Sequence, residues 1–320
     1  MLKRTAVISH FHLLISLVCI FLSFSTQAIE PKVIFVNDLE FWTESFGDKK
    51  NPALLLIMGS GGQGLLWPQQ FCEDLANKGY YVIRYDHRDT GLSAAIDFNK
   101  LPYNMLDLAK DAVGILDNYG IQKAHIVGAS MGGEVGMIMT AHYPNRVASL
   151  SLFITSTDMR PAFDSFQGKT TQSVLSKPKP AVIESAKKIS NPPKSIKQKV
   201  DNFMENMRIN AGSQVPIDIE LMRQLAMQSI MRMRNPEGIS NHFLAIIASY
   251  TLHQEAVSKI KVPTIIIHGD QDPVFGLDHA EALNKSIENS KLIIIPGLGH
   301  GITNKIFYPK IIEGIMEVTK

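Results

Sequence analysis

Short buried-strand patterns alternate with amphipathic helical patterns along this chain, and this alternation constrains its fold more than any other feature. The run Ala53–Met58 is apolar at every position. Such runs are typical of strands buried on both faces of a parallel sheet. The same rhythm predicts strands over 80–85, 123–129 and 147–154, separated by helices over 68–78, 106–119 and 130–143. Strand–helix–strand units of this kind connect through right-handed crossovers, which favours an α/β architecture.

The rhythm is interrupted after residue 155 and resumes near residue 261. Residues 33–46 predict two antiparallel edge strands with a turn near Asn37 and Asp38. Between 155 and 261 the patterns are helical, at 200–210, 217–233 and 239–253, with no convincing strand. The remaining elements are predicted strands over 263–268 and 291–295 and helices over 278–287 and 305–319. An unstructured loop of a hundred residues is implausible in a compact domain. We therefore expect a core of residues 29–155 and 261–320, with residues 156–260 as an inserted helical cap.

Methionines are frequent on the faces of the predicted cap helices. Because methionine fills irregular gaps, core packing is the first expectation, and some of these side chains are expected to line an apolar pocket under the cap. The six residues are Met204, Met207, Met222, Met227, Met231 and Met233.

The first 28 residues have the layout of a secretory signal peptide. Lys3 and Arg4 precede an apolar run over 13–24, and small residues lie one and three positions before a cleavage site after Ala28. The run is short for a bilayer core of about 30 Å, although an uncleaved anchor is the alternative. Cleavage removes two of the 32 basic residues and none of the 30 acidic ones, which leaves no net charge. We expect an exported protein, periplasmic or secreted, with no membrane span after cleavage and no nucleic-acid partner.

Cys72 is the one cysteine that remains after this cleavage, so no disulfide within the chain is expected. It lies near a predicted helix start and has no partner pattern around it. We interpret it as a small buried apolar residue.

The segment Gly128-Ala129-Ser130-Met131-Gly132 matches the pattern G-x-S-x-G. It follows the predicted strand over 123–129 and opens the next helix, which is the context that a nucleophile elbow requires. Ser130 is therefore the predicted nucleophile. Glycines two positions away on each side allow close approach of neighbouring chain segments.

A serine nucleophile needs a base, and the base needs an acid that orients it. His300 lies in a glycine-rich loop after the last predicted strand and is the predicted base, with His268 as the competitor. Asp272 follows the strand after the cap and is the predicted acid, with Asp270 as the alternative. The order serine, aspartate, histidine is that of α/β-hydrolases.

The oxyanion of the reaction needs two backbone donors. We expect the N–H of Met131, next to the nucleophile, to be one of them. The turn Gly59-Ser60-Gly61 supplies the other, and Ser60 N–H is the first choice there.

Three motifs give the chain a resemblance to a known superfamily. Arg84–Gly91 (Arg-Tyr-Asp-His-Arg-Asp-Thr-Gly), Gly128–Gly132 and Trp67-Pro68 resemble the α/β-hydrolase branch that includes aclacinomycin methylesterase. The resemblance implies an α/β-hydrolase fold: a mostly parallel sheet with helices on both faces and an inserted helical cap. It also implies serine-dependent ester hydrolysis without a cofactor.

The residues His87, Arg88 and Asp89 of the first motif are interpreted as a structural loop, because the triad is complete without them. No metal is expected, since no His or Cys pairs stand at ligand spacing. The predicted function is hydrolysis of the carboxylic ester of a small, largely apolar substrate through an acyl-enzyme. The alternatives are an amide, peptide or carbon–carbon bond hydrolase with the same triad, and a non-catalytic ligand-binding protein. The oligomeric state and the substrate's acyl and alcohol groups are left open.

Overall fold

A computed structural model describes residues 31–187, 195–212, 215–302 and 304–320. The predicted signal peptide lies outside these residues and stays a prediction. Among the described helices, none combines the length and apolar character that a bilayer crossing needs.

Eight strands form one sheet in the order β1-β2-β4-β3-β5-β6-β7-β8. The pairs β1–β2 and β2–β4 are antiparallel and the other neighbours are parallel. The predicted α/β fold with a mostly parallel sheet is confirmed. The strands are β1 (Lys32–Val36), β2 (Leu39–Phe46), β3 (Ala53–Ile57), β4 (Tyr81–Tyr85), β5 (Ala124–Ala129), β6 (Val147–Phe153), β7 (Thr264–Gly269) and β8 (Lys291–Ile295).

Eleven α-helices are found in the described residues. Five of them belong to the sheet domain: α1 (Gln69–Asn77), α2 (Met105–Asn118), α3 (Met131–His142), α10 (Leu277–Ser286) and α11 (Tyr308–Met316). The other six lie between β6 and β7: α4 (Arg160–Phe166), α5 (Pro180–Lys187), α6 (Ile196–Asn210), α7 (Ile219–Met231), α8 (Gly238–Ile247) and α9 (Tyr250–Val257). We call residues 156–260 the helical segment.

Alternate side chains of the central strands enter two cores, one on each face of the sheet. Leu55 and Ile57 of β3 pack with residues of α2 and α3, whereas Leu54 and Leu56 pack with residues of α1 and α11. All four leucine and isoleucine side chains are fully buried. This two-sided burial explains why β3 is apolar throughout.

Three features of the helical segment differ from the sequence prediction. Helices α4 and α5 were not predicted. The predicted single helix over 239–253 is two helices, α8 and α9, which meet at Ala248 and Ser249. The hydroxyl of Ser249 accepts from Met105 N and donates to Ala245 O, so a contact with α2 fixes this break.

The methionines of the helical segment divide into packing and exposed residues. Met204 and Met222 are buried in a small core between α6 and α7, and Met207 packs against it. Met227, Met231 and Met233 are exposed, so the expectation of core packing is wrong for these three. Met207 and Met233 line the cavity beneath the helical segment, as expected for some of the six.

Cys72 is fully buried in α1, as expected, and is a free thiol. Burial raises its pKa to about 12, which keeps the thiol protonated.

Candidate active site

Ser130 lies between the end of β5 and the start of α3 in a strained backbone conformation. Its φ is 53° and its ψ is −121°, which a residue with a side chain rarely adopts. Hydrogen bonds from both sides of the turn hold it there. Ser130 N donates to Phe153 O over 3.0 Å, and Ser130 O accepts from Gly133 N at 2.9 Å and from Thr155 Oγ1 at 2.7 Å. Strain of this kind persists where surrounding contacts over-determine it, as at active sites.

The two glycines of the motif are needed for close packing. A Cβ at Gly128 would collide with the backbone of Gly132, and a Cβ at Gly132 would collide with Ile57 O. Strands β3 and β5 and helix α3 thus approach closely at this point, and this approach exposes Ser130 at the turn.

Asp272 and His300 form a hydrogen-bonded pair at the carboxyl ends of β7 and β8. His300 Nδ1 lies 2.8 Å from Asp272 Oδ2, and Asp272 Oδ1 accepts from Val274 N and Phe275 N at 2.8 and 2.9 Å. Burial alone would raise the pKa of Asp272, but the neighbouring His300 and these donors lower it below its usual value. An ionised carboxylate therefore faces Nδ1–H, which leaves His300 Nε2 free to accept a proton.

The competing residues of the sequence analysis have other partners. Asp270 Oδ1 accepts from Gly297 N at 2.7 Å, which braces the loop that carries His300. His268 is fully buried, and its Nε2 bonds to Phe275 O at 2.8 Å and lies 3.7 Å from Asp272 Oδ2. Asp270 therefore stabilises the loop of His300, and His268 packs beside Asp272.

A cavity of about 430 Å³ opens onto Ser130 and His300. No hydrogen bond joins Ser130 Oγ to the imidazole among the described contacts; such bonds often tighten only when substrate binds. The cavity wall is mostly apolar, and the helical segment supplies about half of it. Its aromatic lining consists of Phe153, Phe163, Phe166, Phe203, Phe243 and Phe275.

The turn after β3 lies against Ser130. A Cβ at Gly59 would lie 3.1 Å from Ser130 Cβ. Within the turn, Gly62 N donates to Gly59 O and Gly61 N donates to His242 Nδ1, both over 3.0 Å. In the described part of the chain, Ser60 N–H makes no such bond. Met131 is the first residue of α3, so its N–H also lacks an acceptor within the helix.

The loop 84–91 has the structural contacts that the sequence analysis expected. Arg88 makes two hydrogen bonds with the Asp111 carboxylate, of 2.7 and 2.8 Å. His87 Nε2 bonds to Met58 O at 2.9 Å, and burial lowers its pKa to about 3. Asp86 accepts from Gly64 N at 2.8 Å. His87 and Asp86 thus hold the loop against the turn after β3, and Arg88 holds it against α2.

Sequence reasoning missed two contacts from the helical segment. His242 of α8 accepts the Gly61 N–H bond, and Asn210 O at the end of α6 accepts from His300 N at 2.6 Å. No sequence signal marks either residue, because both contacts arise only when the helical segment folds over the sheet edge.

Comparison with known proteins shows the family of this chain. Residues 52–303 match the model of the alpha/beta hydrolase fold family, and the chain belongs to that family. Rhodomycin D methylesterase of Streptomyces peucetius is 28% identical over 286 residues, which cover 87% of this chain and 95% of the relative. The predicted resemblance is thereby confirmed.

Two solved structures share the fold. A meta-cleavage product hydrolase from Pseudomonas fluorescens superposes with a TM-score of 0.70 at 21% identity, covering 91% of this chain and 98% of that one. An esterase from Exiguobacterium antarcticum gives a TM-score of 0.69 at 19% identity, covering 90% and 100%. At these identities the likeness concerns the fold.

Proposed function

We propose that this α/β-hydrolase is a serine esterase in which Ser130 is the nucleophile, His300 the base and Asp272 the acid that orients it. The methylesterase relative, whose alignment covers 87% of this chain and 95% of the relative, is also a carboxylic ester hydrolase. The observation that carries the proposal is that one cavity is lined by the strained Ser130 and by His300, which is hydrogen-bonded to the buried Asp272.

In the proposed reaction, Ser130 Oγ attacks the ester carbonyl carbon while His300 Nε2 takes the hydroxyl proton. The carbonyl oxygen becomes an oxyanion, which Ser60 N–H and Met131 N–H stabilise. The tetrahedral intermediate collapses, and His300 gives its proton to the leaving alcohol. Water then attacks the acyl-enzyme, His300 takes the water proton, and the carboxylic acid leaves as Ser130 regains its hydrogen. Asp272 stabilises the imidazolium in both halves of the reaction.

We propose further that residues 156–260 act as a cap that selects the substrate. The aromatic wall and the volume of the cavity favour a small, largely apolar ester. The cap and the sheet edge enclose this cavity together, so the substrate's apolar part is expected to contact both.

Labelling with a fluorophosphonate tests the proposal. The purified wild type is expected to be labelled at Ser130, whereas Ser130→Ala and His300→Ala are not, and turnover of a short-chain chromogenic ester falls about 10⁴-fold or more in both. His142→Ala is the control, since this exposed histidine ends α3 and does not line the cavity. Labelling of Ser130→Ala, or no labelling of a folded wild type, would overturn the proposal and favour a ligand-binding protein.

Matched substrates separate the ester from the alternatives. We expect turnover of an ester and at least about 100-fold less of the amide with the same acyl group, because the amine is a poorer leaving group. Faster turnover of the amide or of a carbon–carbon substrate would overturn the assignment to esters.

We also propose that the protein is exported and that residues 1–28 are removed. N-terminal sequencing of protein from the native host tests this, and a chain that begins at Met1 would contradict it.

A further inference from the structure

Two buried histidines hold the turn after β3 from opposite ends. His87 Nε2 bonds to Met58 O at the start of the turn, and His242 Nδ1 accepts from Gly61 N near its end. Both imidazoles are fully buried. His87 comes from the loop after β4, whereas His242 comes from α8 in the helical segment.

The contacts of His242 determine which of its nitrogens carries the proton. Nδ1 faces the N–H of Gly61, so it must be unprotonated, and Nε2 lies 2.9 Å from Arg88 O, so it must donate. Burial lowers the pKa of His242, more than the Arg88 carbonyl and Asp89 raise it. The imidazole is therefore neutral, and one tautomer satisfies both neighbours.

Neighbouring side chains fix the position of this ring. It makes edge contacts with His87 and Tyr103, with ring centroids 5.8 and 6.4 Å away. One turn earlier on α8, Ile239 lies over Gly61, where an added Cβ would be 2.8 Å from its side chain. Gly61 has a φ of +67°, so α8 covers a backbone segment that has little room to move.

We propose that His242 is a positioning residue for the oxyanion hole. By accepting the Gly61 N–H, it fixes the Ser60–Gly61 peptide and, next to it, the direction of Ser60 N–H. The hole is then complete only when α8 is docked on the turn. This inference rests on the proposed serine esterase, in which Ser60 N–H binds the oxyanion.

Two substitutions separate the roles of the two ring nitrogens. In His242→Asn, the amide oxygen of the introduced side chain takes the place of Nδ1 and keeps the acceptor for Gly61 N–H, but the donor to Arg88 O is lost. His242→Gln places its amide near Nε2, which keeps the donor to Arg88 O and loses the acceptor for Gly61. Each variant thus removes one hydrogen bond from the same site. We therefore expect similar losses of folding stability in the two, so a difference in kcat between them reports the Gly61 bond.

We expect kcat of His242→Gln on the chromogenic ester to fall about 10- to 100-fold, with KM changed less than about threefold, since one oxyanion donor is worth about 10²–10³ in kcat. His242→Asn is expected to keep kcat within about fivefold of the wild type. His253→Gln is the control, because His253 is a buried histidine of the next helix, α9, without contact to the turn.

The outcomes separate this inference from the proposed function. An equal loss of kcat in the Asn and Gln variants, or a loss that lies in KM alone, would overturn the role of His242 while leaving the esterase intact. If one variant fails to fold, the affinity of the other for a boronic acid that bonds to Ser130 decides. His242→Gln should bind it at least tenfold more weakly than the wild type, and His242→Asn within about threefold. A wild type without turnover or labelling would instead overturn the esterase proposal itself.

Discussion

Two of the buried polar contacts between the helical segment and the sheet domain differ in how completely their hydrogen bonds are made. The α8 contact joins Asn235, Asn241 and His242 to Gly61 and Asp89. The α9 contact places His253 beside Glu134 of α3, and Tyr250 begins the same helix. Both contacts lie within the same fold, and both place titratable groups out of reach of water.

Asp89 is the centre of the α8 contact, where every carboxylate bond is made. Its Oδ1 accepts from Ile96 N and Asn235 Nδ2 at 2.7 and 2.8 Å, and its Oδ2 accepts from Tyr103 Oη and Asn241 Nδ2 at 2.8 and 3.0 Å. Both oxygens of this buried carboxylate therefore have their hydrogen bonds. A fully satisfied buried network of this kind favours a single conformation of the residues that form it.

The α9 contact is incomplete among the described residues. Both Glu134 oxygens, His253 Nε2 and Tyr250 Oη are buried without a hydrogen-bond partner. His253 Nδ1 lies 3.7 Å from Glu134 Oε1, beyond hydrogen-bonding distance. Burial raises the pKa of Glu134 well above its usual value and lowers that of His253 to about 4, so burial favours the neutral form of both groups. Polar groups of the same kinds therefore stabilise one contact and weaken the other, according to whether their partners are present.

Removal of the Asp89 carboxylate is expected to have the largest effect on stability. Asp89→Ala leaves four donors without an acceptor and places alanine at a φ of 67°. We expect the free energy of unfolding in urea to fall by about 3–5 kcal/mol. Asp89→Asn is the control, since asparagine tolerates this backbone conformation but brings a donor where acceptors are needed. A loss below about 1 kcal/mol in Asp89→Ala would show that the α8 contact does not depend on its network.

Glu134→Gln tests the α9 contact through its pH dependence. Above about pH 4.5, the ordinary pKa of the carboxyl, the unfolded chain releases its proton, whereas burial raises the pKa of Glu134 in the folded chain and delays this release to higher pH. The wild type therefore loses stability as pH rises, by up to about 1.4 kcal/mol per pH unit, and glutamine abolishes this loss. In urea unfolding at pH 5, 6, 7 and 8, the free energy of unfolding of Glu134→Gln should increase relative to that of the wild type as pH rises.

His253 also makes the free energy of unfolding depend on pH, but with the opposite sign. Between about pH 4 and 6.5 only the unfolded chain binds its proton, so this group makes the wild type more stable as pH rises. Because this contribution is the same in Glu134→Gln and the wild type, the difference between their two curves reports Glu134. Parallel curves for Glu134→Gln and the wild type from pH 5 to 8 would contradict a raised pKa of Glu134.

Replacing one tyrosine by phenylalanine in each contact should give the smallest change in the free energy of unfolding. Tyr103→Phe removes the hydroxyl that donates to Asp89 and should cost about 1–2 kcal/mol of unfolding free energy. Tyr250→Phe removes a buried hydroxyl without a partner and should change stability by less than about 0.5 kcal/mol, or increase it. Equal losses in urea unfolding would show that the two contacts do not differ in the way described.

The sheet domain was predictable because its signals are local. Burial on both faces makes β3 apolar, and the strained turn at Ser130 requires glycine at positions 128 and 132. The pairing of Asp272 with His300 followed from their places at the ends of β7 and β8. These features depend on residues within a few positions of each other or on strand ends that share one edge of the sheet.

The helical segment was predicted less well because tertiary contacts determine its details. The break between α8 and α9 depends on Ser249 and its bond to α2, and nothing in the local pattern requires it. Helix α5 had a signal that was missed, since Pro180 at its first position is typical of a helix start. The role of His242 depends on a partner 181 positions away along the chain.

The insertion point of the helical segment has a consequence for how such proteins diversify. Strands β6 and β7 are hydrogen-bonded neighbours, although more than a hundred residues separate them in sequence. Descendants of one ancestor can therefore lengthen, shorten or exchange that stretch without disturbing the register of the sheet. On the role proposed for His242, such an exchange must keep an acceptor for the N–H of Gly61. Recombination that replaces the stretch but preserves this acceptor would give new selectivity on an unchanged reaction.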